Sequence, residues 1–124
     1  MKIIKKSDAI HVKKPEGVSV DYYLRDEYEV HYDEQAPGTT QTWHHHEELF
    51  ESLFILEGEL ITEWKENGAI AKEVVGKGDL IEPENTPHTF TNHTDRTTKF
   101  IVIQQILSGE NKREILKTDK IVDE

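Results

Sequence analysis

What most constrains the fold of this chain is a succession of short β-type runs, separated by turn residues at near-regular intervals, with no sustained helical period. Met1 to Lys14 holds two apolar pairs, Ile3-Ile4 and Ile10 with Val12, and reads as edge strands or a covering arm. Pro15-Glu16-Gly17 makes a turn, and Val18 to Leu24 and Tyr28 to Tyr32 read as two strands joined through Arg25-Asp26-Glu27. Gln35-Ala36-Pro37-Gly38 breaks the chain. Phe50 to Leu56 follows, and Glu57-Gly58 is short enough for a tight hairpin into Leu60 to Trp64. Asn67-Gly68 is the strongest hairpin signal, leading to Ile70 to Val75, and Gly76 to Asp79 turns again. Leu80-Ile81 is a short strand stopped by Pro83. His88 to Thr91 and Lys99 to Leu107 are strands, Ser108 to Asn111 a turn, and Arg113 to Lys117 a last run; only the tail after Thr118 admits a helical period. About ten such strands imply an all-β sandwich or barrel.

A length of 124 residues suits one domain, with an N-terminal arm and strands to residue 33 and a C-terminal tail from residue 118. The absence of cysteine removes disulfides and thiol chemistry and leaves histidine and carboxylate as the strong metal ligands. No apolar run reaches a membrane span, and the polar start does not read as a signal peptide, so the expected setting is cytoplasmic without membrane attachment. A net charge of -10, with both signs interspersed, repels phosphate backbones and argues against nucleic acid as a partner.

The chemistry concentrates in residues 38–58 and 78–92. His44 and His46 stand two apart, so in an extended strand both face one space while Trp43 and His45 face the other. Glu51 follows, with Gly38 and Gly58 at the ends. Two imidazoles converging on a carboxylate suggest a metal. Downstream, His88 is framed by Pro83, Pro87 and Asn92.

Together the two stretches resemble the paired motifs of the cupin superfamily. The first motif, a glycine, five residues, His-x-His, three or four residues, Glu, six residues and Gly, falls on Gly38, His44, His46, Glu51 and Gly58. In the second, Pro83, His88 and Asn92 keep the spacing, Asn85 replaces a glycine, and Gly78 precedes Pro83 by one residue too few. Asparagine tolerates a left-handed backbone, and the turn at Gly76 to Asp79 is where the missing residue would be absorbed. The resemblance implies a double-stranded β-helix, or jelly-roll barrel, and a ligand set of His44, His46, Glu51 and His88 for one divalent Fe, Mn, Ni, Co, Cu or Zn ion. It implies either a small metalloenzyme, a dioxygenase or a sugar-type isomerase or epimerase, or a module that binds or senses a small ligand without turnover.

Other histidines read as structural: His45 faces away from its neighbours, and His11, His31 and His93 have no partner at ligand spacing. Tyr22, Tyr32, Trp64, Phe90, Gln104 and Gln105 are candidates for a pocket wall or for packing. Phe50 to Leu56 is apolar on both faces. Because Glu51 must reach a metal, Glu51, Leu53 and Ile55 should face the interior and Phe50, Phe54 and Leu56 the outside, which predicts a homodimer that covers the outer face.

Overall fold

In the computed structural model, which describes residues 1–106 and 112–123, two antiparallel sheets face each other as a jelly-roll barrel. A 3-10 turn at Lys6–Asp8 precedes β1 (Ile10–Lys13), β2 (Val18–Leu24), β3 (Tyr28–Gln35), β4 (His44–His45), β5 (Phe50–Glu57) and β6 (Glu59–Glu66). Then come β7 (Ala69–Gly76), β8 (Leu80–Ile81), β9 (His88–Thr91), β10 (Thr98–Gln105), the helix α1 (Lys112–Thr118) and β11 (Ile121–Val122). One sheet runs β1-β2-β3-β10-β5-β8 and the other β11-β4-β9-β6-β7. β1 is the expected edge strand.

Alternation along the strands decides what lies inside. Leu53, Ile55, Leu60, Phe90, Phe100 and Val102 form the central apolar cluster, each contributing roughly 1.5–3 kcal/mol by leaving water. Glu51, Leu53 and Ile55 are buried, while Phe50, Phe54 and Leu56 are exposed. β3 alternates just as strictly, but its inward residues are Glu29, His31, Asp33 and Gln35. The barrel therefore has an apolar side and a polar side.

Three expectations change. Glu57-Gly58 does not close a hairpin, because β5 and β6 belong to different sheets and Gly58 carries the chain across. Its φ of +87° and a Cβ that would stand 2.6 Å from Thr98 Oγ1 make glycine necessary there. Arg113 to Lys117 is helical, with Leu116 packed on Leu49 and Ile106, a cluster that period-2 reading could not see in a segment of two turns. The tail beyond it is a strand, β11, paired with β4. The Asn67-Gly68 hairpin does form, with both residues left-handed. The expected turn at Ser108 to Asn111 lies outside the described residues, as does Leu107.

Candidate metal centre

β4 and β9 bring the two motifs together: His44 pairs directly with His88 across the antiparallel ladder. The turn ahead of Pro83 is closed by Asp79 N–H donating to Gly76 O at 2.9 Å and Gly76 N–H to Asp79 Oδ2 at 2.8 Å. Asn85 adopts the left-handed conformation expected of it, with φ of 66°. Its side chain also donates to His46 O at 2.6 Å, tying the second motif to the first.

Ligand atoms of His44, His46 and Glu51 all lie within 4.8 Å of one another, and all three residues are buried. His88 adjoins this group, its ring centroid 4.6 Å from that of His44 and 6.4 Å from that of His46, and its Nε2 3.9 Å from Glu51 Oε1. Each imidazole is fixed through its other nitrogen. His44 Nδ1 donates to Thr42 O at 2.8 Å and His88 Nδ1 to Thr86 O at 2.7 Å, the same two-residue step back along the chain. His46 Nδ1 donates to Asp119 O at 3.0 Å. A carbonyl only accepts, so each Nδ1 carries a proton, and in the neutral ring Nε2 keeps its lone pair.

These lone pairs fit a metal. Nε2 of His46 and of His88 is buried without a hydrogen-bond partner among the described residues, a costly state for a polar atom unless something else satisfies it. His46 Nε2 does approach Glu51 Oε2 at 2.8 Å, but not along a hydrogen-bonding direction. Gln104 Nε2 donates to the same Glu51 oxygen at 2.8 Å and holds the carboxylate in place. A void of about 10 Å³, the size of a single small occupant, lies among His46, Leu49, Glu51, Pro83, Asn85 and His88.

The electrostatics follow from burial. Desolvation lowers His44 to about 4 and lowers His88, so both remain neutral at pH 7. Burial also opposes charge on Glu51 and on His46, but their mutual contact outweighs it, bringing Glu51 to about 2 and raising His46. Three imidazoles, of which His46 would give up its Nε2 proton to a bound cation, and one ionised carboxylate are a donor set for a borderline divalent ion.

The cupin-domain family pattern matches residues 31–104, more than half of the chain. The chain belongs to the cupin family. Among solved structures, an oxalate decarboxylase variant from Bacillus subtilis superposes with a TM-score of 0.75 at 17% identity, covering 97% of this cupin and 32% of that chain. A sugar phosphate isomerase of the cupin superfamily from Silicibacter pomeroyi gives 0.64 at 20% identity, covering 78% and 69% of the two chains. An oxalate oxidase gives 0.68 at 19%, covering 84% and 59%. At these identities the likeness is one of fold, and this cupin spans about a third of the oxalate decarboxylase chain. No curated protein sequence matches it.

Several residues that shape this cupin's site carry no motif. Asp119 and Gln104 act only because the fold returns α1 and β10 to the site. His45, facing away as expected, pairs with Asp123 at 2.8 Å, and His93 lies 3.7 Å from Glu59. His11 contacts Asp21 on the neighbouring strand. His31 takes a hydrogen-bonding role from within: it is buried on the inner face of β3, with Nε2 2.7 Å from Glu29 Oε2. Trp64 and Phe90 line a cleft beside His88, whereas Tyr32 lies on the outward face of β3. Among the described residues, no helix is long and apolar enough to cross a membrane.

Proposed function

We propose that this cupin holds one divalent transition metal on His44, His46, Glu51 and His88 and acts there on a small hydroxylated carbonyl compound. The observation that carries the reading is the pair of buried Nε2 atoms of His46 and His88, without a hydrogen-bond partner among the described residues, beside an ionised Glu51. Orphaned lone pairs of this kind are a costly state that a bound cation relieves. Ligand type admits Fe, Mn, Ni, Co, Cu or Zn. When bound, such an ion supplies Lewis-acid polarisation of a ligand oxygen.

A cleft of about 390 Å³ has His88 and Phe90 in its wall and is the size of a small-molecule site. Its margin carries Glu66, Glu73, Glu82 and Glu84 against one cation, Lys65. That charge disfavours a dianion such as oxalate and favours a neutral, sugar-like ligand, so an isomerase or epimerase is preferred over an oxalate-directed activity. The non-catalytic alternative, a metal-dependent binding or sensing module, shares the site and differs only in turnover.

The test is metal reconstitution followed by binding of neutral hydroxycarbonyls and of oxalate to the manganese-loaded protein, read by water-proton relaxation. Displacement of metal-bound water by the hydroxycarbonyl and not by oxalate supports the reading. Oxalate binding with the hydroxycarbonyl inert would overturn the substrate class. We also propose a homodimer through the outer face of the six-stranded sheet, where Phe50, Phe54, Leu56 and Ile103 are exposed together.

A further inference from the structure

The polar side of the barrel holds a second set of titratable groups that metal binding does not use. Glu29, His31 and Asp33 follow one another on the inward face of β3, all buried. Glu29 is fixed from outside, since Arg113 of α1 donates to its Oε1 and anchors itself by donating to Arg25 O at 2.9 Å. The other oxygen of Glu29 meets His31 Nε2 at 2.7 Å. Tyr22 packs its ring edge-on to His31, with centroids 4.5 Å apart. Among the described residues nothing hydrogen-bonds His31 Nδ1.

This arrangement fixes a tautomer. Burial lowers His31 to about 4, so the ring is neutral at pH 7. A neutral imidazole facing a carboxylate places its proton on that side, and Nδ1 then carries the lone pair. Register places the pair beside the metal centre. Glu51, Gln104 and Glu29 are opposite one another on β5, β10 and β3, and Gln104 already donates to Glu51. Two strand spacings, with Gln104 between, separate Glu51 from Glu29, about 10 Å between backbones, and Glu51 and His46 both act electrostatically on the His31 ring.

We propose that His31, held by Glu29 and Arg113, is the proton-accepting group of this site. The proposal rests on the reading of the centre as one that binds a hydroxycarbonyl compound. In the step, the C–H bond next to the carbonyl breaks, its electron pair moves to form the C=C of an enolate with charge on oxygen, and the proton passes to His31 Nδ1. Return of that proton to the former carbonyl carbon, with the adjacent hydroxyl proton passing to the enolate oxygen, isomerises the compound; a proton delivered by water to the other face of the original carbon, while His31 gives its own proton to solvent, epimerises it. No oxidant or reactant beyond water is needed. Tyr22, Lys14, Asp33, Glu51 and His46 are the other titratable groups facing or acting electrostatically on the ring, alongside Glu29 and Arg113.

The experiment uses the full chain loaded with zinc. Exchange of the methylene protons of dihydroxyacetone in D2O is followed by proton NMR, and the His31 tautomer is read by long-range ¹H–¹⁵N correlation. The expected result is exchange by the wild type, a loss of about a hundredfold or more in His31→Gln with zinc content unchanged, and a His31 ring protonated on Nε2 alone. Glu29→Gln should slow exchange about tenfold and shift its pH profile to lower pH, because a neighbouring charge is removed; it carries the test should His31→Gln fail to fold. Zinc-loaded wild type that exchanges no protons, exchange indifferent to both substitutions, or a ring protonated on Nδ1 would overturn the assignment of His31 while leaving the metal centre standing. Protein that takes up no zinc would overturn both.

Discussion

Asp119 holds His46 twice over. Its backbone carbonyl accepts the His46 Nδ1 proton at 3.0 Å, while its carboxylate accepts the amides of Glu47, Glu48 and Leu49, the last two at 2.7 and 2.9 Å. The segment between the His-x-His pair and Glu51 is thereby pinned to the residue just after α1. Asp119→Ala leaves three amides without this acceptor and frees the loop that spaces His46 from Glu51. Metal affinity should fall roughly 10- to 100-fold with the barrel intact, the usual effect of removing a group that orients a ligand. Chelator competition measures the affinity and circular dichroism the fold; an unchanged affinity would show that the loop holds itself.

His88 comes from the less regular motif, yet its Nδ1 anchor repeats that of His44 and the residue is the more deeply buried of the two. His88→Ala should therefore weaken metal binding as much as His44→Ala does. If His88→Ala leaves metal content unchanged, the site reduces to His44, His46 and Glu51.

The sequence and the structure part at identifiable places. Strand positions, the inward turn of Glu51 and the left-handed Asn85 were legible, since period-2 alternation and turn chemistry are local properties. The destination of Gly58 was not, because a glycine turn reads the same whether the next strand pairs with the last or crosses to the other sheet. His31 looked like an ordinary histidine because Tyr22, packed against its ring, and Arg113, which fixes the Glu29 beside it, reach the pair only through the fold. Asp119 carried no signal for the same reason.

Without metal, acid should weaken this protein in a defined window. His44 and His31 are both held at about 4 by burial, against 6.5 for an exposed histidine. The unfolded chain therefore takes up protons first, and the stability these groups contribute, fully present above pH 6.5, is lost as pH falls from 6.5 toward 4. Thermal melts of the metal-free protein should show Tm falling across that interval. A flat Tm from pH 7 to 4 would contradict the buried, neutral state of both rings.

Asp33 has the opposite sign. Burial raises its carboxyl to about 7 from 3.8, and its Oδ1 has no partner among the described residues. The folded protein holds this proton more tightly than the unfolded chain, so stability is lost as pH rises from 3.8 through 7. Asp33→Asn should stabilise the protein at pH 8 by about 2 kcal/mol and have far less effect at pH 4. Denaturant unfolding at the two pH values checks this, and equal effects at both would rule out a buried titrating carboxyl.

Sedimentation or light scattering at micromolar concentration tests the proposed homodimer. The arm cannot hide the whole apolar face: Lys6 lies over Tyr32, whereas Phe50, Phe54 and Leu56 stay exposed. A mass near twice 14.4 kDa is expected, falling to the monomer in Phe54→Glu. A wild-type mass of 14.4 kDa would contradict the dimer.

The metal itself is tested most directly by elemental analysis of the purified and reconstituted protein, combined with a pH titration of metal content. The account predicts about one divalent ion per chain, with release setting in below about pH 6 as protons compete for the imidazoles, His46 first because Glu51 favours its protonated form. Absence of metal after reconstitution with each of the six candidate ions, or full retention at pH 4, would contradict coordination by His44, His46, Glu51 and His88.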